Sequence, residues 1–88
     1  MGPLVRNARQ LGAAIRSRRH EAQLTASQAA ALARVSRRLL VEVEGGKRPN
    51  VGFAAVLRIL EVLGLDLEVM ARGLPGTRVP GGRAQSDV

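Results

Sequence analysis

Cysteine, tryptophan and tyrosine are all absent from the 88 residues, which hold one phenylalanine, Phe53, and one histidine, His20. Without cysteine the chain can form neither a disulfide-stapled secreted scaffold nor a cysteine-based zinc finger. With a single aromatic, the core has to be built from Leu, Val, Ile and Ala. That favours helix packed on helix and leaves no platforms for stacking single-stranded nucleic acid. No apolar run approaches the roughly 18 residues that a membrane span requires, and the first residues lack the apolar stretch of a secretory signal, so a cytoplasmic protein is expected. Catalysis has little to stand on. His20 has no titratable partner at a useful spacing, and Gly45-Gly46-Lys47 lacks the Gly-x4-Gly-Lys-Ser/Thr frame of a phosphate loop. A non-enzymatic protein with no metal and no cofactor is expected.

Acidic residues are also scarce: 7 Asp and Glu stand against 14 Lys and Arg, for a net charge of +7. The surplus is localised. Eleven of the basic residues lie at or before Arg58, against only Glu21, Glu42 and Glu44, whereas the chain from Glu61 onward is slightly acidic. A basic region of this kind points to a polyanionic partner. What remains is ordinary for a single small globular domain, with 45% apolar and 24% charged residues. A core of this size rarely supplies more than about 3 to 5 kcal/mol, so dimerisation would be favourable.

Hydrophobic spacing divides the chain into a flexible arm (1–6), a folded domain (7–71) and a Gly- and Pro-punctuated tail (72–88) expected to be disordered. A first helix is expected over 7–22, with Leu11, Ile15 and Ala22 on its apolar face and Ala8 above them. Thr25-Ala26-Ser27-Gln28 has the form of a capping box and opens an Ala-rich helix, Ala26–Ala33, whose small side chains permit close approach of a neighbour. Ser36 caps a third helix, Arg37–Glu44, ended by Gly45-Gly46. A fourth, about 51–63, starts at Asn50 or Gly52 and is apolar on more than one face, which implies a second partner surface. After Gly64, residues 65–69 alternate as a half-buried strand does. Since no other segment reads as a strand, its expected partner is the same strand of a second subunit. The dimerisation residues expected on this basis are Val56, Ile59, Val62, Leu65, Leu67 and Val69.

Two short helices joined across Arg34-Val35, the second carrying adjacent arginines, make a helix-turn-helix arrangement. From Leu11 to Leu65 the chain resembles the Cro/repressor-type (XRE) helix-turn-helix family, on Arg19, Leu24-Thr25, Ala29 to Ala33, Val35-Ser36, Glu44-Gly45 and Pro49. The closing Leu-Gly-Leu-Asp-Leu-Glu-Val (63–69) resembles the HipB-like antitoxin branch, in which a C-terminal strand completes an intersubunit sheet. The resemblance implies an all-α fold of four to five helices plus that strand. It also implies an autorepressing, operator-binding homodimer that partners a HipA-like kinase toxin, or alternatively a stand-alone regulator without a toxin.

The same resemblance implies that Arg37–Glu44 is the recognition helix and that Thr25, Ser27, Gln28, Ser36, Arg37, Arg38, Glu42, Lys47 and Arg48 face DNA. Arginine can fork onto guanine, and Glu42 can either accept from cytosine or orient a neighbouring arginine. Lys47 and Arg48 fall where the family meets phosphate. Arg19 and Glu44 match positions of a structural ion pair. Two residues depart from the pattern. Ala26 replaces a phosphate-contacting glutamine, and Arg34 replaces the turn glycine, where a left-handed backbone costs a side-chain-bearing residue roughly 1 kcal/mol.

Overall fold

A computed structural model describes residues 4–71. The tail at 72–88 and the first three residues of the arm lie outside them. Four helices occur among the described residues: α1 (Ala8–Glu21), α2 (Ala26–Ala33), α3 (Arg37–Glu44) and α4 (Phe53–Val62).

Each helix starts where the chain offers a cap. Asn7 Oδ1 accepts from the Gln10 amide at 2.8 Å, and Gln10 Oε1 in turn accepts from the Arg6 amide at 2.6 Å. Thr25 and Gln28 form a reciprocal box, at 3.0 Å from the Gln28 amide to Thr25 Oγ1 and 2.8 Å from the Thr25 amide to Gln28 Oε1. Ser36 Oγ accepts from the Leu39 amide at 3.0 Å. Gly52 opens α4 without a side-chain cap.

All four helices end in the same backbone device, a left-handed residue followed by a bond reaching back five residues. The left-handed residues are Gln23 and Arg34 (φ 59 each), Gly46 (φ 69) and Gly64 (φ 68). The closing bonds run from Leu24 N to Arg19 O, Val35 N to Ala30 O, Lys47 N to Glu42 O and Leu65 N to Leu60 O, at 2.8 to 3.1 Å.

The core is aliphatic. Ile15 of α1, Leu40 of α3 and Ile59 of α4 are fully enclosed, and Ala29, Ala30 and Ala33 let α2 lie close to both α3 and α4. α1 packs on α3, and its buried face is Gly12, Ile15 and Arg19. This corrects the expected stripe: Leu11 is half-buried, while Ala8 and Ala22 are exposed. The reason is close approach, because a Cβ at Gly12 would overlap the carbonyl oxygens of Val43 and Glu44. Gly46 is similarly confined, with the Arg9 Cα 2.8 Å from where a Cβ would stand.

Two further expectations are corrected. Val56 and Ile59, expected at a dimer surface, are 7% and 1% exposed and belong to the chain's own core. α4 packs on α2, and both side chains are enclosed within the chain's own cluster of buried residues. No strand occurs among the described residues, and 65–69 is irregular. A strand needs a neighbouring ladder. The Leu65 amide is used in closing α4, and among the described residues no backbone partner serves 66–71. Leu67, Val69 and Met70 remain exposed, as do Phe53 and Leu57 on the outer side of α4.

Candidate nucleic-acid interface

The unit formed by α2, its turn and α3 is held from several sides. Arg34 adopts the left-handed conformation at the end of α2 (φ 59, ψ 44), despite carrying a side chain, and so reverses the chain within two residues. Val35 then tucks against the core and Ser36 caps α3. From α4, Arg58 Nε donates to the Ala33 carbonyl at 2.9 Å, fixing the last turn of α2 beside the reversal.

The far end of α3 is fixed by an ion pair. Arg19 donates from Nε to Glu44 Oε2 at 2.6 Å and from its second terminal nitrogen to Oε1 at 2.9 Å. Its other terminal nitrogen donates to the Leu24 carbonyl at 3.0 Å. The two side chains are 10% and 6% exposed. The Glu44 hydrogen bonds raise the Arg19 guanidinium above its ordinary value, against the opposing effect of burial. This pair joins α1, the α1–α2 turn and the last residue of α3, and it faces the interior.

The outer surface of α3 carries Ser36, Arg37, Arg38 and Val41, all exposed, with Glu42 half-buried among its neighbours. Arg38 Nε donates to Glu42 Oε2 at 3.2 Å, and Arg48, from the following loop, donates to Glu42 Oε1. These bonds, that of Arg48 first and that of Arg38 second, hold the Glu42 carboxyl below its ordinary value. The structure therefore gathers Arg38, Glu42 and Arg48 into one group, with Arg37 beside it on the helix and Lys47 beside it on the loop. Thr25, Ser27 and Gln28 are exposed at the start of α2. Thr25 Oγ1 and Gln28 Oε1 each accept a backbone amide, which leaves the Thr25 and Ser27 hydroxyls and the Gln28 side-chain nitrogen as the donors on offer.

Some roles were invisible in the residue pattern. Arg18 and Arg58 contribute to the basic surplus, yet Arg18 Nε donates to the Leu63 carbonyl at 2.8 Å and Arg58 serves Ala33. Both act as braces between helices. Val41 is 43% exposed on the outer face of α3, one turn after Arg37. Its signal was present: it falls out of register with the buried Leu40 and Val43.

Chemically, this surface presents guanidinium forks suited to guanine O6 and N7 or to phosphate, and an aliphatic group suited to a thymine methyl. Among the described residues no cluster of three or more His, Asp or Glu could hold a metal ion, and no helix is long and apolar enough to cross a membrane.

Residues 10–73 match the helix-turn-helix domain family. The chain is also 32% identical over 73 residues to an uncharacterised HTH-type transcriptional regulator, y4mF, of Sinorhizobium fredii, an alignment covering 83% of this chain and 95% of that relative. The matched span includes α2, the Arg34 turn and α3, and the protein belongs to the helix-turn-helix family.

Proposed function

We propose that this protein is a sequence-specific DNA-binding transcriptional repressor that inserts α3 into the major groove. One observation carries the reading. A helix fixed at its start by Ser36 and at its end by the Arg19–Glu44 pair turns Arg37, Arg38 and Val41 outward, with Lys47 and Arg48 at its exit. The name of the Sinorhizobium relative, a transcriptional regulator, supports it. In this reading Ser36, Arg37, Arg38 and Val41 meet base edges. Thr25, Ser27, Gln28, Lys47 and Arg48 meet the backbone, and Glu42 lies between the two sets.

The repressor works as a homodimer. Support comes from the exposed apolar strip of Phe53, Leu57, Leu67 and Val69, joined by the half-buried Val62 and Leu65. A second copy of 65–69 would supply the ladder that this segment lacks among the described residues. Such a dimer reads two half-sites about 34 to 36 Å apart. Replacing Leu57 and Leu67 with Lys tests it: sedimentation should show monomers, and a variant that stays dimeric overturns this interface.

The finer role is that of antitoxin to a HipA-like kinase toxin, autorepressing a shared operon. The resemblance of 63–69 to the HipB-like branch supports it. The alternative is a stand-alone regulator, and the two separate on whether the protein binds and silences such a kinase when co-expressed.

The DNA reading is tested by titrating the protein against a duplex from the region upstream of its own gene and a shuffled duplex across a salt series. Preference for the native duplex, with a log–log salt slope of several units, is expected. Equal affinity for both, or none for either, overturns it.

A further inference from the structure

We propose that Glu42 is a positioning residue for DNA reading, acting through Arg38 and Arg48 rather than by touching a base itself. The inference rests on the DNA-binding role of α3 and assigns that surface its source of discrimination.

The geometry distributes the carboxylate between two elements. Oε2 takes Nε of Arg38, one helical turn earlier on the same face of α3, and Oε1 takes a terminal nitrogen of Arg48, on the loop past the Gly45-Gly46 exit. Each oxygen thus holds one guanidinium donor, from a different element. The side chains differ in reach: Glu42 is 28% exposed, Arg48 43% and Arg38 85%. The acid sits back and the two guanidinium groups extend past it. Because Arg38 is held through Nε, both of its terminal nitrogens stay outward and available to a guanine edge or a phosphate. Arg48 is held through one terminal nitrogen and keeps its remaining N–H groups for the backbone.

An acid on a surface that meets a polyanion weakens general attraction, so its presence at the centre of the basic group needs a compensating role. Direction is that role. An arginine left to itself samples many rotamers and finds phosphate on any sequence, whereas one aimed in advance rewards a base in one place only. Glu42 also couples the two readers. The Arg38 position on the helix and the Arg48 position on the loop are set by one carboxylate, so base register and backbone register are fixed together.

The test uses the full chain, with a duplex enriched by the wild-type protein from a random pool and a shuffled duplex of the same composition. In Glu42→Ala, affinity for the shuffled duplex should rise through loss of the negative charge, while the ratio of the two affinities falls by about tenfold, the scale of one well-made base contact. In an Arg38→Ala/Arg48→Ala background, adding Glu42→Ala should leave the ratio unchanged, because the acid then has nothing to position. A Glu42→Ala protein whose two affinities rise by the same factor shows charge alone and overturns the inference. So does a loss of ratio that persists undiminished in the double-arginine background, which would mark a direct base contact. A wild-type protein that enriches no sequence and binds neither duplex overturns the DNA reading together with this inference.

Discussion

Arg19 spends all three of its guanidinium nitrogens inside the protein, two on the carboxylate of Glu44 and one on the carbonyl of Leu24. The bond therefore spans three elements at the end of α3 opposite the Arg34 turn. With both side chains about nine-tenths covered, neither charge has water to fall back on if its partner is removed.

Arg19→Ala or Glu44→Ala should each destabilise the fold by about 3 to 5 kcal/mol, the scale of orphaning one member of a buried pair. An apolar double replacement, Arg19→Met/Glu44→Leu, should lose much less than the two single losses added together. Urea titration of the four proteins measures this, and strict additivity would show that the two side chains are energetically independent.

Arg34→Gly should stabilise the protein. The left-handed backbone at Arg34 costs a side-chain-bearing residue about 1 to 2 kcal/mol that glycine does not bear, although glycine is freer in the unfolded chain. A net gain of about 1 kcal/mol corresponds to roughly 4 to 8 °C in Tm for a domain of this size. Gln23→Gly tests the same argument at the end of α1.

Gly12→Ala should destabilise, although alanine is the better helix former by about 1 kcal/mol. The new methyl meets the backbone oxygens of Val43 and Glu44, which cannot rotate aside, and overpacking of this kind costs about 1 to 3 kcal/mol. Thermal unfolding decides the sign, and an increase in Tm would mean that α1 can move off α3 at little cost.

Protonation of Glu42 gives a pH dependence. Its carboxyl is held below the ordinary value by Arg48 and Arg38, so the folded state binds the proton less readily than the unfolded chain does. The stabilisation is fully present above the unfolded value and is lost as pH falls through the lower folded value. Compared with Glu42→Gln, the wild-type protein should show its advantage in unfolding midpoint near neutrality and lose it in acid. An advantage that does not change between the two would place the origin elsewhere.

Much of the fold was legible because it is written in local chemistry. Thr25 with Gln28, Ser36, and the glycines at 46 and 64 fix starts and stops through bonds spanning three to five residues, and the pattern around them is enough to place α2 and α3. The exposure of Arg37 and Arg38 on α3 was legible for the same reason, since both follow directly from the position of the cap. Longer-range relations were less visible. Gly12 shows its purpose only when α3 is beside it, and nothing in the residues around Arg18 or Arg58 reveals that each donates to a carbonyl at the end of another helix. The apolar surplus of α4 divides into an inner set with Val56 and Ile59 and an outer one with Phe53 and Leu57, a division that its nearly continuous apolar sequence does not mark. The alternation at 65–69 meets no partner among the described residues, and a strand is defined by its neighbour.

The left-handed exits also determine where the chain can be lengthened. Between α1 and α2, and again between α2 and α3, the reversal and the next cap occupy consecutive residues, from Gln23 to Thr25 and from Arg34 to Ser36. One inserted residue there would rotate the following helix about its axis and turn the arginines of α3 away. The link from α3 to α4 is longer, but Pro49 and Asn50 form the exposed centre of a turn that the Val51 amide closes on the Arg48 carbonyl at 3.2 Å, directly after the basic group. A fluorophore, an affinity tag or a fused domain inserted at any of these three links would therefore disturb the aim of the scaffold.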